Sequence, residues 1–488
     1  MNGQSELVRY LRDRLTATEE ELAEQKWAFE QFLRSPSWRW TAPVRWAVKQ
    51  FRKLSNGHHS PTSPAVSSKT AESVNGVEAN SVEEAKVLFT NLCQISLQTF
   101  LDSGATLDLP QSPTPEISIV LVLFNRAELT LACLRSIAET RNAQIEIVIV
   151  DNASSDRTAQ LLNRLRGARI IANDTNLHFL EGANQAAREC RGEYILLLNN
   201  DAQLLPGALR SALRTIRESP DVGAVGGKII LLDGTLQEAG SIVWHDGSCA
   251  GYGRGDDPFA PMYTFRRDVD YCSGAFLLTP RKLWDQLGGF DKTFAPAYYE
   301  ETDYCLRLWQ LGYRVVYEPD AAIVHYEFAS SKSAAAATGL QARNQKVFAE
   351  RHRAVLEKRQ RQGKDPMLQA RARNAERRAL CVVDRVDDGL ADCRALAKQG
   401  YFVTLYPLIE IDEPRERVYA ELPREVEIMT GRGREKLEHF LESRKGYYST
   451  MIVSPERMEA LTSCMKAHPD WFEHVRLVHD PHSMDGEA

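Results

Sequence analysis

The chain has 488 residues, enough for about three domains, and a globular composition with 43% hydrophobic and 26% charged side chains. Its formal net charge of -6 is spread without a basic domain, so nothing in it predicts nucleic-acid binding. Nine scattered cysteines, none in a CxxC pair, exclude a zinc ribbon or a disulfide framework and fit reduced thiols in the cytoplasm. No apolar run has the form of a signal peptide or a membrane span.

Residues 5–33 read as one helix, with Val8, Leu11, Leu15, Leu22, Phe29 and Phe32 on a seam suited to a short coiled coil and homo-oligomer. Residues 35–54 interleave Trp38, Trp40, Trp46 and Phe51 with five cations and no acid, and Arg34 stands just before them. That pattern suits either peripheral contact with an anionic membrane surface, at the inner face of the plasma membrane, or a packing face for the tryptophans. A Ser/Pro/Asn-rich linker over 55–80 follows, then a helix from Val82 to Leu101 and a proline-marked boundary at 110–115.

From Ile117 short apolar runs alternate with amphipathic segments. Strands are predicted at 117–123, 145–150, 168–172 and 193–198, and helices at 129–139, 157–165 and 182–191. The alternation implies an α/β domain with a mainly parallel sheet covered on both faces, over residues 113–335. A cationic helical connector, 336–378, leads to a second alternation with strands at 379–383, 402–405, 426–429, 450–453 and 475–478.

In an open parallel sheet ligands bind beyond the carboxyl ends of the strands. There the sequence places Phe124-Asn125-Arg126, then Asp151-Asn152-Ala153-Ser154-Ser155-Asp156, then Asn199-Asn200-Asp201. Asp151, Ser154 and Ser155 could each be ordinary helix caps. Three consecutive polar residues after a buried strand exceed what one cap needs.

With these clusters go Gly182-Ala-Asn184, Gly289-Phe-Asp291 and Tyr299-Glu-Glu-Thr-Asp-Tyr-Cys-Leu-Arg307. Together they resemble a family-2 glycosyltransferase of the GT-A fold, in particular the rhamnosyl- and galactofuranosyl-type enzymes that build bacterial surface polysaccharides. The resemblance implies an inverting transfer from a dTDP- or UDP-sugar to a glycan or lipid-linked acceptor. It places Asn125, Asp151, Asn152, Asn184, Asn199, Asn200 and Asp201 on the nucleotide-sugar donor. Asp201, as the last position of a DxD-type motif, would bind Mg²⁺ or Mn²⁺, joined by His325. Asn199 stands where the motif usually has Asp, which leaves one carboxylate. The catalytic base would come from the acidic pair Glu300–Glu301, Glu-Glu here in place of Glu-Asp, with Glu301 preferred and Glu300 open. Gly274, Ala275 and Asp303 would line the acceptor side. Acids in a first helical turn also simply answer the helix dipole, and Asp303 and Arg307 also fit an i,i+4 pair.

The unit from Ala379 resembles the N-terminal Rossmann half of a family-4-like GT-B enzyme without its nucleotide-binding half, and is expected to serve as a packing or acceptor-binding module. A different class of function, a noncatalytic glycan-binding scaffold retaining a GT-A core, also fits the sequence. A nucleotidyltransferase does not, because Phe124-Asn125-Arg126-Ala127-Glu128 lacks a glycine-rich phosphate loop.

Overall fold

A computed structural model describes residues 75–140, 144–327, 334–363, 367–409, 418–430, 435–453, 466–471 and 475–478. The coiled-coil helix, the tryptophan-rich stretch and most of the linker lie outside these residues.

The described chain opens with α1 (Asn75–Asp102), seven residues earlier than its apolar pattern predicts. The first alternation follows as β1 (Ile117–Leu123), α2 (Ala127–Ala138), β2 (Ile145–Asp151), α3 (Thr158–Leu162), β3 (Ala168–Ala172), α4 (His178–Arg188) and β4 (Tyr194–Leu198). Helix α3 stops short of its expected end because Leu165 leaves it to pair with Leu107. The chain continues through β5 (Ala202–Leu204), α5 (Ala208–Glu218), β6 (Val222–Leu231), β7 (Leu236–Ala239), β8 (Ser241–Val243), β9 (Cys249–Gly251) and β10 (Arg267–Asp268). Then come β11 (Phe276–Pro280), α6 (Arg281–Leu287), α7 (Glu300–Gln310), β12 (Arg314–His325) and α8 (Ala334–Arg351).

Ten of these strands form one sheet in the order β10-β12-β6-β11-β4-β1-β2-β3, with β5 added on β12 and β7 on β6, while β8 and β9 pair antiparallel with each other. Strands β1 to β4 are parallel, as their continuous apolar runs predict, and every residue of β2 is buried. The other half departs from the expected parallel order. Strand β11 runs antiparallel between β4 and β6, and the parallel pair β6–β12 closes the far side, so the sheet is mixed. A β-carbon at Gly227 would lie 2.0 Å from the Ala321 carbonyl, so only glycine lets β6 come this close to the bulged part of β12.

The second unit contains β13 (Arg378–Val383), α9 (Leu390–Lys398), β14 (Phe402–Pro407), β15 (Glu427–Ile428), α10 (Leu437–Ser443), β16 (Thr450–Val453) and β17 (Arg476–Val478). Its strands are all parallel in the order β15-β14-β13-β16-β17, a doubly wound arrangement with an apolar cluster on each face. It is joined to the connector by a buried ion pair and to the first unit by an exposed one and a backbone bond. Arg371 of the connector binds Glu427 through two bonds of 2.8 and 2.7 Å, while Arg424 pairs with Asp320 and the Arg424 carbonyl accepts the Arg266 N–H.

Candidate active site

The polar residues after β1 and β2 interlock. Asn125 and Arg126 take left-handed backbone angles, with φ of 61° and 65°, as does Ala153 at 59°. The Asn125 N–H donates to Ser154 Oγ at 2.8 Å, and its side-chain oxygen accepts the Ser155 N–H at 2.8 Å. Asp151 accepts the Ser154 N–H at 3.1 Å and keeps a carboxylate at the strand end. Asn152 is 1% exposed; its amide donates to the His178 carbonyl and accepts from Asn173, so it braces the start of α4 behind the crevice. Asn184 is engaged at both ends of its amide by the Phe290 backbone, at 2.8 and 2.9 Å. The family resemblance puts Asn152 and Asn184 on the donor; their hydrogen bonds put both side chains to work on the protein's own backbone.

The triplet after β4 splits into three tasks. Asn199 stays half-buried, takes the Ala275 carbonyl with its N–H at 3.2 Å and holds its amide nitrogen 3.2 Å from His325 Nε2. Asn200 turns inward to Thr130 at 3.0 Å. Asp201 Oδ1 lies 3.1 Å from His325 Nε2, brought there by the pairing of β5 with the end of β12. On the opposite edge of the imidazole, Nδ1 meets Gln237 Oε1 at 2.8 Å. Burial works against charge on His325, but the Asp201 carboxylate, its hydrogen bond, and Glu327 and Glu238 hold its pKa above the ordinary value.

This geometry fits a hard divalent cation shared with a ligand. A carboxylate and an imidazole nitrogen converge, and the other ring nitrogen is oriented by an amide oxygen, the usual support for a metal-binding histidine. Among the described residues no group of three or more His, Cys, Asp or Glu gathers to hold an ion unaided. The remaining ligands would have to come from a bound diphosphate.

The acidic pair opens α7. Two successive non-glycine residues, Tyr298 and Tyr299, have φ of 75° and 73°, a costly backbone that the surroundings must enforce. Asn344 of α8, fully buried, donates to the carbonyls of Phe294, Ala297 and Tyr298 at 2.9 Å each, and the Tyr299 hydroxyl donates to the Gly247 carbonyl at 3.0 Å. The strained turn buries Glu300 and leaves Glu301 half-buried, with Oε2 of each shielded from water and without a hydrogen-bond partner. Burial, followed by repulsion from Glu301, raises the Glu300 pKa well above the carboxylate range. Burial, reinforced by the charge of Glu238, pushes that of Glu301 to about 7. No cation is paired with either among the described residues.

Asp303, two positions on, has the opposite environment. It is fully buried and bound by Arg307 at 2.7 Å, Arg351 at 3.0 Å and His352 at 2.8 Å. Burial is outweighed by these donors, so its pKa is lowered. Asp303 therefore clamps α7 to the end of α8 and does not line an acceptor surface. Arg307 extends the clamp to the carbonyls of Leu287 and Gly289, each at 2.8 Å. Ala275 sits behind the triplet. A β-carbon on Gly274 would meet only the Phe179 ring at 3.4 Å, so packing within the protein does not demand glycine there.

Two residues absent from the sequence reading enter the site from β7. Gln237 orients His325, and Glu238 is 8% exposed, with its charge felt by His325 on one side and Glu301 on the other. The hairpin turn Asp233-Gly234 marks the short strand in the sequence, but not the register that aims these two side chains. A cavity of about 470 Å³ beside α8, lined by His245, Asp246, Lys346 and Arg353 among others, contains none of these side chains.

Residues 118–282, about a third of the chain, match the family model described as glycosyl transferase family 2, and this stretch lies within the first α/β unit. A stretch of 234 residues, 46% of this chain, is 30% identical to the O-antigen biosynthesis protein RfbC of Myxococcus xanthus and covers 18% of that protein. Over 242 residues, 44% of the chain, it is 25% identical to the N-acetylglucosaminyl-diphospho-decaprenol L-rhamnosyltransferase of Mycobacterium tuberculosis, covering 77% of it. The chain spans a quarter or less of the longer curated relatives it matches, 25% and 18% in two cases. Among solved structures it is similar to a mannosyltransferase from Pyrobaculum calidifontis in complex with GDP-mannose and Mn²⁺, at 18% identity and a TM-score of 0.36, over 59% of this chain and 79% of that one.

Proposed function

We propose that this protein is an inverting glycosyltransferase that moves a sugar from a dTDP- or UDP-sugar to a hydroxyl of a surface-polysaccharide or lipid-linked glycan. The observation that carries this reading is the pair Glu300–Glu301, the first buried and the second half-buried with Oε2 shielded, without a counter-cation at a strained helix start and electrostatically linked through Glu238 to His325 and Asp201. A carboxylate with its pKa near neutrality is a competent base at physiological pH.

In this reading the acceptor oxygen attacks the anomeric carbon as the bond from that carbon to the diphosphate oxygen breaks. The acceptor proton passes to Glu301, with Glu300 as its neighbour in a coupled pair. Asp151 and the 125–126 turn receive the nucleoside. Asp201 and His325 would hold Mg²⁺ or Mn²⁺, which supplies charge compensation for the departing nucleoside diphosphate. The similarity to the mycobacterial rhamnosyltransferase and the Myxococcus O-antigen protein supports a cell-envelope glycan as product. No helix among the described residues is long and apolar enough to cross a membrane. Residues 35–54 would supply peripheral contact at the inner membrane face, residues 5–33 self-association, and the C-terminal unit a packing surface.

The test is nucleotide release from a panel of dTDP- and UDP-sugars with Mg²⁺ or Mn²⁺. Turnover lost with EDTA and in Asp201→Ala is expected. Metal-independent turnover that survives this substitution would sink the mechanism.

A further inference from the structure

Adjacent residues of a β-strand point to opposite faces. Gln237 and Glu238 are adjacent on β7, yet both are buried and both act on the same catalytic crevice. The pairing of β7 with β6 explains how. Ile229 faces Glu238 and Lys228 faces Ala239, but Ile230 faces Leu236, leaving Gln237 as an extra residue without a partner. This is a one-residue β-bulge, a device that re-aims a side chain beside a site.

The surroundings are shaped to keep it. The buried Arg267 guanidinium donates to the carbonyl of Ala239, immediately after the bulged pair, and stacks over Tyr317 and Tyr252 at 4.5 and 5.0 Å from the ring centres. On the other flank, a β-carbon at Gly251 would stand 2.9 Å from Glu238 Cβ, so β9 leaves room for the glutamate. Glu238 Oε1 accepts the Ser273 N–H at 3.3 Å, next to Gly274 and Ala275.

Resting on the glycosyltransferase reading above, we infer that the bulge makes Gln237 and Glu238 positioning residues for the two halves of the reaction: Gln237 for His325, Glu238 for Glu301. Gln237 presents an amide oxygen to Nδ1, which leaves Nε2 directed at Asp201 and at the diphosphate position. Buried on the bulge and held by the Ser273 N–H, Glu238 adds a third carboxylate whose charge reaches Glu301. The titratable groups that act with or on Glu301 are Glu300 from its own helix, Glu238 from β7, Cys249 from β9, Tyr271, Tyr299 and Cys305, none of them cationic. Removing the Glu238 charge therefore lets Glu301 ionise at lower pH and makes it a weaker proton acceptor.

The experiment uses the full chain with Glu238→Gln, Glu238→Asp and Gln237→Leu. It reads the pH dependence of kcat/KM for nucleotide release, the affinity for Mn²⁺ with UDP by electron paramagnetic resonance, and the pH dependence of Tm. For Glu238→Gln the acidic limb should move down by on the order of one pH unit, with Mn²⁺ affinity within about twofold of wild type, while Glu238→Asp keeps the limb near its original place. Gln237→Leu should weaken Mn²⁺ binding roughly 10- to 100-fold with the limb unmoved. Superimposable pH profiles for Glu238→Gln and wild type, or undiminished Mn²⁺ affinity in Gln237→Leu, would overturn the inference. If wild type turns over no donor, the glycosyltransferase reading has failed. The Mn²⁺ arm then still decides Gln237, and Tm decides Glu238: because burial raises its own pKa, the smaller alkaline loss of Tm in Glu238→Gln must shrink further in a Glu301→Gln background, and an undiminished effect there would overturn its role.

Discussion

Glu301 of the first unit, half-buried with Oε2 shielded from water, and Glu427 of the second are driven in opposite directions by their surroundings. Glu427 is fully buried but receives two bonds from Arg371, one from Thr404 at 2.9 Å and a longer one from Arg444 at 3.5 Å. Despite burial, these cations and hydrogen bonds lower its pKa to about 2. Glu301 meets other carboxylates instead of cations and is pushed to about 7. Asp303 repeats the contrast two residues along the same helix, with Arg307, Arg351 and His352 around it. Burial alone therefore does not mark a working acid. The missing counter-charge does, because a paired carboxylate holds structure and an unpaired one keeps a proton to exchange.

The contrast is broken most severely at Glu301. Glu301→Gln should lower kcat by roughly 10²- to 10⁴-fold, the usual contribution of a general base, with the far-ultraviolet dichroism and Tm of the folded protein retained. A stable variant with undiminished kcat would move the base elsewhere. At Glu427 the loss should be of structure. Glu427→Ala leaves Arg371 and Arg444 buried without their carboxylate and should cost about 3–5 kcal/mol in urea unfolding. The acid dependence follows the same sign. Because the folded pKa is depressed, the Glu427 contribution is complete above the ordinary carboxylate pKa of 4.5 and is lost as pH falls toward about 2, and the variant should lack that loss.

Two smaller effects sharpen the comparison. Asn344→Ala strips the donor from three carbonyls of the strained turn and should cost about 1–3 kcal/mol, with a fall in kcat that the Tm shift does not account for. A variant of unchanged kcat would show that the turn holds Glu300 and Glu301 without it. Glu300→Gln should do the reverse of Glu427→Ala. A folded-state pKa raised by burial and repulsion makes the native state lose stability as pH rises above the ordinary carboxylate range. The amide should therefore stabilise the protein at pH 8 by on the order of 1 kcal/mol, and the two melting curves should converge near pH 4. Destabilisation at pH 8 would mean that Glu300 is paired after all.

The strands of both units were legible because long apolar runs specify burial on both faces, and 117–123 and 145–151 fall within one residue of the reading. The polar ends of β1, β2 and β4 were legible for the same reason, since whatever follows a buried parallel strand must face the crevice. The antiparallel insertion of β11 was not, because Phe276–Pro280 is apolar in either direction and only its pairing with β4 and β6 fixes its sense. Asn152, Asn184 and Asp303 matched motif positions, but their partners lie 26, 106 and up to 49 residues away, beyond the reach of local pattern. Gln237 was invisible for a related reason. A bulge is a fact about two strands, and β7 by itself shows only four residues.

The most direct measurement is the pH dependence of kcat/KM for nucleotide release by the full chain, with its best donor and saturating Mn²⁺. Activity carried by the carboxylate pair of α7 should rise with pH along a limb centred near 7 and lose that limb in Glu301→Gln. A profile already level at the ordinary carboxylate pKa, or a limb that survives the substitution unchanged, would contradict the account.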